Sequence, residues 1–178
     1  MNLHRRLALS SILATALVAA PFALRAQTTV YDLGRLLSGS GAPDAPSFAT
    51  LSATVSGDDV MFTLYAHGLD VFEGAQPFIG ALAINGDGVG TVADVSGDAP
   101  VKMANGGGPG GNWAFRFSFI GRNKDRLVDD ETVSWTWVGG AGHFAGVAAH
   151  VQGIAYGETT SAWYEATTSL PGLDTVGR

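Results

Sequence analysis

The stretch Ala49-Thr50-Leu51-Ser52-Ala53-Thr54-Val55-Ser56-Gly57-Asp58-Asp59-Val60-Met61-Phe62-Thr63-Leu64-Tyr65-Ala66 decides the fold class. Ala49, Leu51, Ala53 and Val55 alternate with Thr50, Ser52 and Thr54. After Gly57-Asp58-Asp59, Val60, Phe62, Leu64 and Ala66 alternate with Met61, Thr63 and Tyr65. A period of two puts apolar side chains on one face of an extended chain. Two such runs around residues that tolerate a tight turn predict a β-hairpin with one buried face.

The same period continues on both sides of the hairpin. Thr28 to Leu33 is a short candidate strand upstream, and the Ser/Gly/Pro-rich stretch 38–47 is a loop. Downstream, Phe78 to Asn85 is almost continuously apolar, as an interior strand is. Val89 to Val95 follows a break at Asn85-Gly86-Asp87-Gly88. Glycines 106, 107, 108, 110 and 111 mark a flexible connection. Trp113, Phe115, Phe117 and Phe119 form the strongest apolar stripe, and Val133, Trp135 and Trp137 form another. Phe144 to Ile154 and Thr159 to Thr168 complete about eight or nine strands. Gly and Pro recur too often for a helix in this part of the chain. The expectation is an all-β, antiparallel β-sandwich or jelly roll in one domain, 27–178. Phe62, Leu64, Phe115, Phe117, Trp135 and Trp137 are its expected shared core.

Residues 1–26 read as a signal peptide rather than as part of that domain. His4, Arg5 and Arg6 are followed by an uncharged, mostly Leu/Ala/Val/Ile run from Leu7 to Leu24. Leu24-Arg25-Ala26 then places a small residue at a cleavage point before Gln27. Pro21 and the hydroxyl residues at 10, 11 and 15 make this run a poor membrane span. The protein is therefore expected to be secreted, extracellular or periplasmic, with no membrane anchor after cleavage. Cleavage removes three arginines and no acid, so the exported body is more acidic than the whole chain.

The chain carries 16 acids against 10 Lys and Arg, a net charge of −6, with lysine only at 102 and 124. That balance argues against a nucleic-acid partner. The absence of cysteine excludes disulfides, thiolate metal sites and a thiol nucleophile.

Three segments resemble a known family as a set. They are Phe78-Ile79-Gly80-Ala81-Leu82-Ala83-Ile84-Asn85, Glu131-Thr132-Val133-Ser134-Trp135-Thr136, and Ala148-Ala149-His150-Val151-Gln152-Gly153-Ile154 with Trp163 shortly after. Over roughly residues 48–165 the chain resembles the bodies of bacterial PEP-CTERM sorting-domain proteins, of the exosortase type. The resemblance implies an exported, β-rich protein without assigned catalysis, associated with the envelope and exopolysaccharide matrix of Gram-negative bacteria. The family's sorting tail is a Pro-Glu-Pro motif, an apolar span and a basic cluster. Residues 170–178, Leu-Pro-Gly-Leu-Asp-Thr-Val-Gly-Arg, do not carry it, so free secretion is the expectation.

Catalytic and metal patterns are sparse. No Gly-x-Ser-x-Gly elbow is present, and the glycine-rich loop lacks the Lys-Ser/Thr of a phosphate loop. An EF-hand counted from Asn85 fails at its twelfth position, which is Ser96. Gly57-Asp58-Asp59 and Asp129-Asp130-Glu131 read as solvated turns. His67, His143 and His150 lack the close pairing of a zinc site. No metal, cofactor or catalytic residue is assigned. His150 and Gln152 share one strand face and are candidate contacts to a polar ligand. Trp163 and Tyr164 point to opposite sides, so one of them is expected to be exposed, and the pair is a candidate sugar contact. Three functions follow from these residues. The first is a non-catalytic envelope or matrix protein with exopolysaccharide or another glycan as partner. The second is a carbohydrate-binding jelly roll. The third is a glycan-active or isomerase-type enzyme working in a sandwich or barrel cavity.

Overall fold

The computed structural model describes residues 26–85, 90–111, 113–121, 125–141 and 146–167. The expected leader, apart from Ala26, lies outside them, as do His143 and the turn residues 86–88. Ten strands are described: β1 Gln27–Ser38, β2 Ala49–Ser56, β3 Asp59–Ala66, β4 Phe78–Asn85, β5 Thr91–Gly97, β6 Lys102–Asn105, β7 Phe115–Ser118, β8 Thr132–Val138, β9 Gly146–Tyr156 and β10 Thr159–Thr167. All pairings are antiparallel. The all-β antiparallel class read from the alternation is the class observed.

The strands join into one sheet, in the order β5-β8-β3-β2-β1-β10-β9-β4-β7-β6, which curls into a nearly closed barrel. The two faces of the expected sandwich are thus opposite walls of a single continuous sheet. β1 is the reason. It runs twelve residues, twice the expected six, and hydrogen-bonds to β2 on one side and β10 on the other. Two register shifts, between Leu33 and Arg35 and between Leu36 and Ser38, bend it. Such bulges sharpen local twist and let a sheet turn a corner.

The hairpin at 49–66 pairs as the alternation requires, from Ala49↔Ala66 to Ser56↔Asp59. Its alternating apolar members are buried in the barrel, apart from Val55 near the turn, which is exposed. Phe62, Leu64, Phe117, Trp135 and Trp137 are buried together; the Phe115 side chain lies outside what the structure describes. Phe62 stacks on Trp135 at 5.2 Å and meets Phe117 at 5.8 Å. A second ring cluster joins Phe48, Phe72 and Tyr164 at 5.1–5.2 Å. These rings fill the interior with side chains, as small barrels require.

Outward residues of β2, β3 and β8 are largely Ser and Thr. Their hydroxyls meet across strands, Thr28 with Thr54 at 2.7 Å and Thr63 with Ser134 at 2.9 Å. The opposite wall differs. In β4 every residue from Phe78 to Ile84 is buried, on the outer as well as the inner face. Ile79, Leu82 and Ile84 join the core, while Ala81 and Ala83 form a small-residue floor outside it. Gly80 absorbs the register shift between Ile79 and Ala81.

Candidate functional site

The candidate contacts meet on the outside of the sheet, where β10, β9 and β4 lie side by side. His150 pairs with Trp163 on β10 and with Ala81 on β4. The imidazole and indole lie parallel, with centroids 4.5 Å apart and 10° between planes. Both are half-buried. Burial, and then the positive charge of Arg116, lowers the His150 pKa from 6.5 to about 4. The imidazole is therefore neutral at pH 7, and the stack offers two uncharged aromatic rings.

Gln152 is on the same face, opposite Ser161 of β10 and Phe78 of β4. Its Oε1 is buried without a hydrogen-bond partner. That oxygen lies 2.1 Å from where a Cβ on residue 80 would stand, so the amide rests on the bare backbone of Gly80. Phe78 is covered by the Arg126 guanidinium, 4.6 Å above its ring. Three of the four expected contacts, His150, Gln152 and Trp163, thus form one patch. Tyr164 does not belong to it. Adjacent strand residues face opposite ways, and Tyr164 is the inward one. It is fully buried, its hydroxyl donates to the Pro43 carbonyl at 3.3 Å, and burial raises its pKa to about 12.

Other titratable groups hold neighbouring residues, several of the carboxylates by accepting from backbone amides. His67, just past the end of β3, has its Nε2 3.0 Å from the Thr50 hydroxyl, and β2, β1 and β10 stand between β3 and β9 in the sheet. The Leu69 amide donates to Asp129, the Val128 amide to Glu131, the Thr132 amide to Asp98 and the Gly139 amide to Asp59, all at 2.8–2.9 Å. The acidic turns therefore hold loops in place. Among the described residues, no three His, Asp or Glu side chains converge on a point that could hold a metal.

Two concavities are open to solvent. One, of about 280 Å³, lies between the turn Leu69–Val71 and Asp129. The other, of about 350 Å³, is lined by Tyr31, Asn85, Trp113, Val147 and Glu165 among others. Trp113 belongs to the apolar stripe by sequence, yet β7 begins only at Phe115. The Trp113 indole N–H turns back to the Pro109 carbonyl at 2.8 Å, leaving the ring half-buried at the cleft. The one local cue to this is Gly108-Pro109-Gly110-Gly111, which breaks the strand just before it. No protein-family model, curated protein or solved structure matches this chain.

Proposed function

We propose that this protein is an exported, non-catalytic β-barrel module of the bacterial envelope or extracellular matrix that holds a glycan against the outside of its sheet. The observation that carries this reading is the His150–Trp163 stack, two parallel uncharged rings on the outer surface with Gln152 beside them. An aromatic face presents its negative quadrupole to the C–H face of a pyranose, and an amide can exchange hydrogen bonds with ring hydroxyls. The interior, packed with Phe62, Phe117, Trp135 and Trp137, leaves recognition to the outer face. Export rests on the uncharged run behind Arg5-Arg6, and the envelope setting on the resemblance of 78–85, 131–136 and 148–154 to PEP-CTERM bodies.

Affinity electrophoresis through gels containing neutral and acidic polysaccharides tests the reading. Migration is expected to be retarded by at least one polysaccharide, with the retardation lost in Trp163→Ala. Unchanged mobility in every gel, or appearance of new reducing ends in the polysaccharide, would overturn it.

A further inference from the structure

We infer that the glycan is an acidic one, a uronic-acid polymer whose carboxylates are met by Arg116 on the outer wall formed by β9, β4, β7 and β6. The inference rests on the proposed glycan-binding role and adds the ligand's charge and the residue that reads it.

The charge of the chain is divided unevenly over the barrel. Sixteen acids give a net charge of −6, yet the four adjacent strands β9, β4, β7 and β6 contain no Asp or Glu at all. The next strand, β10, has one, Glu165, and Arg35 of β1 pairs with it. Every Lys or Arg among the described residues stands on this wall or against it: Arg35, Lys102 on β6, Arg116 on β7, and Arg126, whose guanidinium covers Phe78 of β4. Lys102, Arg116 and Arg126 make no ion pair with a described carboxylate. A protein that is acidic elsewhere therefore carries a wall of uncompensated positive charge. Such a patch attracts anions and orients them as they approach.

The register sets these cations around the aromatic stack. Trp163, His150, Ala81, Ser118 and Lys102 are successive partners across β10, β9, β4, β7 and β6, so they share the outer face. Arg116 is two residues along β7 from Ser118 and points the same way. It is exposed, and its charge reaches the His150 ring. A Cβ on residue 107 would stand 3.1 Å from Arg116 Nη1, so the guanidinium rests against the bare backbone of Gly107. On the other side of the His150 row, Arg126 lies over Phe78, the partner of Gln152.

A guanidinium fork matches a carboxylate with two parallel hydrogen bonds. An aromatic face takes the C–H side of a pyranose. In a polyuronate each ring carries its own carboxylate, so a chain seated on the stack presents carboxylates to the cations beside it with a single ring platform. A nucleic acid fits this wall poorly. Duplex DNA carries a charge about every 1.7 Å, and the acids on the rest of the barrel repel it.

The test is calorimetric titration with polygalacturonate, alginate and hyaluronan, each beside its carboxyl-reduced, uncharged counterpart, with poly-L-glutamate as an anion that has no sugar. At an ionic strength of about 0.01 M, where the Debye length is about 30 Å, at least one polyuronate is expected to bind about tenfold or more tighter than its reduced form. The margin should shrink at about 0.15 M, where that length is about 8 Å. Arg116→Gln should bring the polyuronate down to the level of the reduced polymer, and Arg116→Lys should restore part of the margin, with circular dichroism and Tm near those of the parent in both. Equal binding of an acidic polymer and its reduced form would overturn the inference and leave the glycan reading standing. So would a margin untouched by Arg116→Gln, or poly-L-glutamate binding as tightly as the polyuronates. No binding by any of the six polysaccharides would overturn both.

Discussion

Trp163 lies opposite His150 because β9 carries more residues than β10 beyond their shared turn. The pair Thr159↔Tyr156 begins the hairpin, and Ser161↔Gln152 follows it, so three residues of β9 face only Thr160. Continuing the first register without a shift would set Trp163 against Gln152. Gly153 sits in the excess with φ of 76°, and a Cβ there would stand 2.5 Å from the Gln76 carbonyl oxygen. Gly153→Ala is expected to cost at least about 1–2 kcal/mol from the left-handed backbone alone and to disturb the stack. Urea denaturation and the chemical shifts of the His150 ring check both effects.

The His150 ring gives a pH dependence of definite sign. Its pKa falls from 6.5 to about 4 on folding. Between those values the unfolded chain binds the extra proton and the folded chain does not, so this group lowers stability as pH drops from about 6.5 to about 4. Above that window both states are neutral, and the group has no effect. His150→Phe should flatten this part of the stability profile relative to the parent. Titration of the His150 Cε1 proton by NMR should show a midpoint near 4; a midpoint near 6.5 would contradict the burial.

Phe117 meets Phe62, Trp135 and Trp137 with centroids 5.1–6.3 Å away, inside the barrel. Phe117→Ala leaves a cavity in the middle of these rings and is expected to cost about 3–5 kcal/mol. Chemical denaturation measures it directly. A cost below about 1 kcal/mol would place the ring outside the core.

Gly80 has a different sensitivity. The atom that an added Cβ would meet first is the end of a flexible side chain, Gln152 Oε1. Gly80→Ala is expected to push that amide off the strand at a stability cost of no more than about 1 kcal/mol, since its carbonyl has no internal hydrogen bond to lose. Glycan retention should drop in the same variant if the Gln152 position matters for binding. A large stability loss with unchanged retention would mean that the amide is locked for structural reasons.

The hairpin at 49–66 was legible because its information is local: strict alternation and a tight turn fix both strands and their inward faces. The burial of β4 on both sides was legible for the same reason, in the unbroken apolar run of 78–84. β6 was not. Four residues, Lys102–Asn105, with one half-buried apolar side chain carry no periodic signal, and only pairing with β7 makes them a strand. The single curled sheet was also out of reach, because it depends on the bulges in β1, which long-range pairing reveals and composition does not. For the candidate site, alternation put His150 and Gln152 together and separated Trp163 from Tyr164. It could not choose which of those two faced out, nor bring Trp163 over His150, since that contact follows from the slip at Gly153. Trp113 was drawn into the core stripe by spacing alone, while its indole N–H follows the Pro109 carbonyl.

The pairing of β1 with β10 has a mechanical side. The two strands run antiparallel, with Asp32 opposite Thr167, so the leading end of β1 and the trailing end of β10 emerge from the same rim of the barrel. A pull applied between those ends meets the ladder one hydrogen bond at a time and peels it open like a zipper. It does not shear all the bonds together. Attached through a loop on the far rim, the same barrel would present whole strands to the load. A load that reaches the barrel through the leading end of β1 and the trailing end of β10 therefore meets its easiest route of opening at their shared seam, and one that reaches it through the far rim does not.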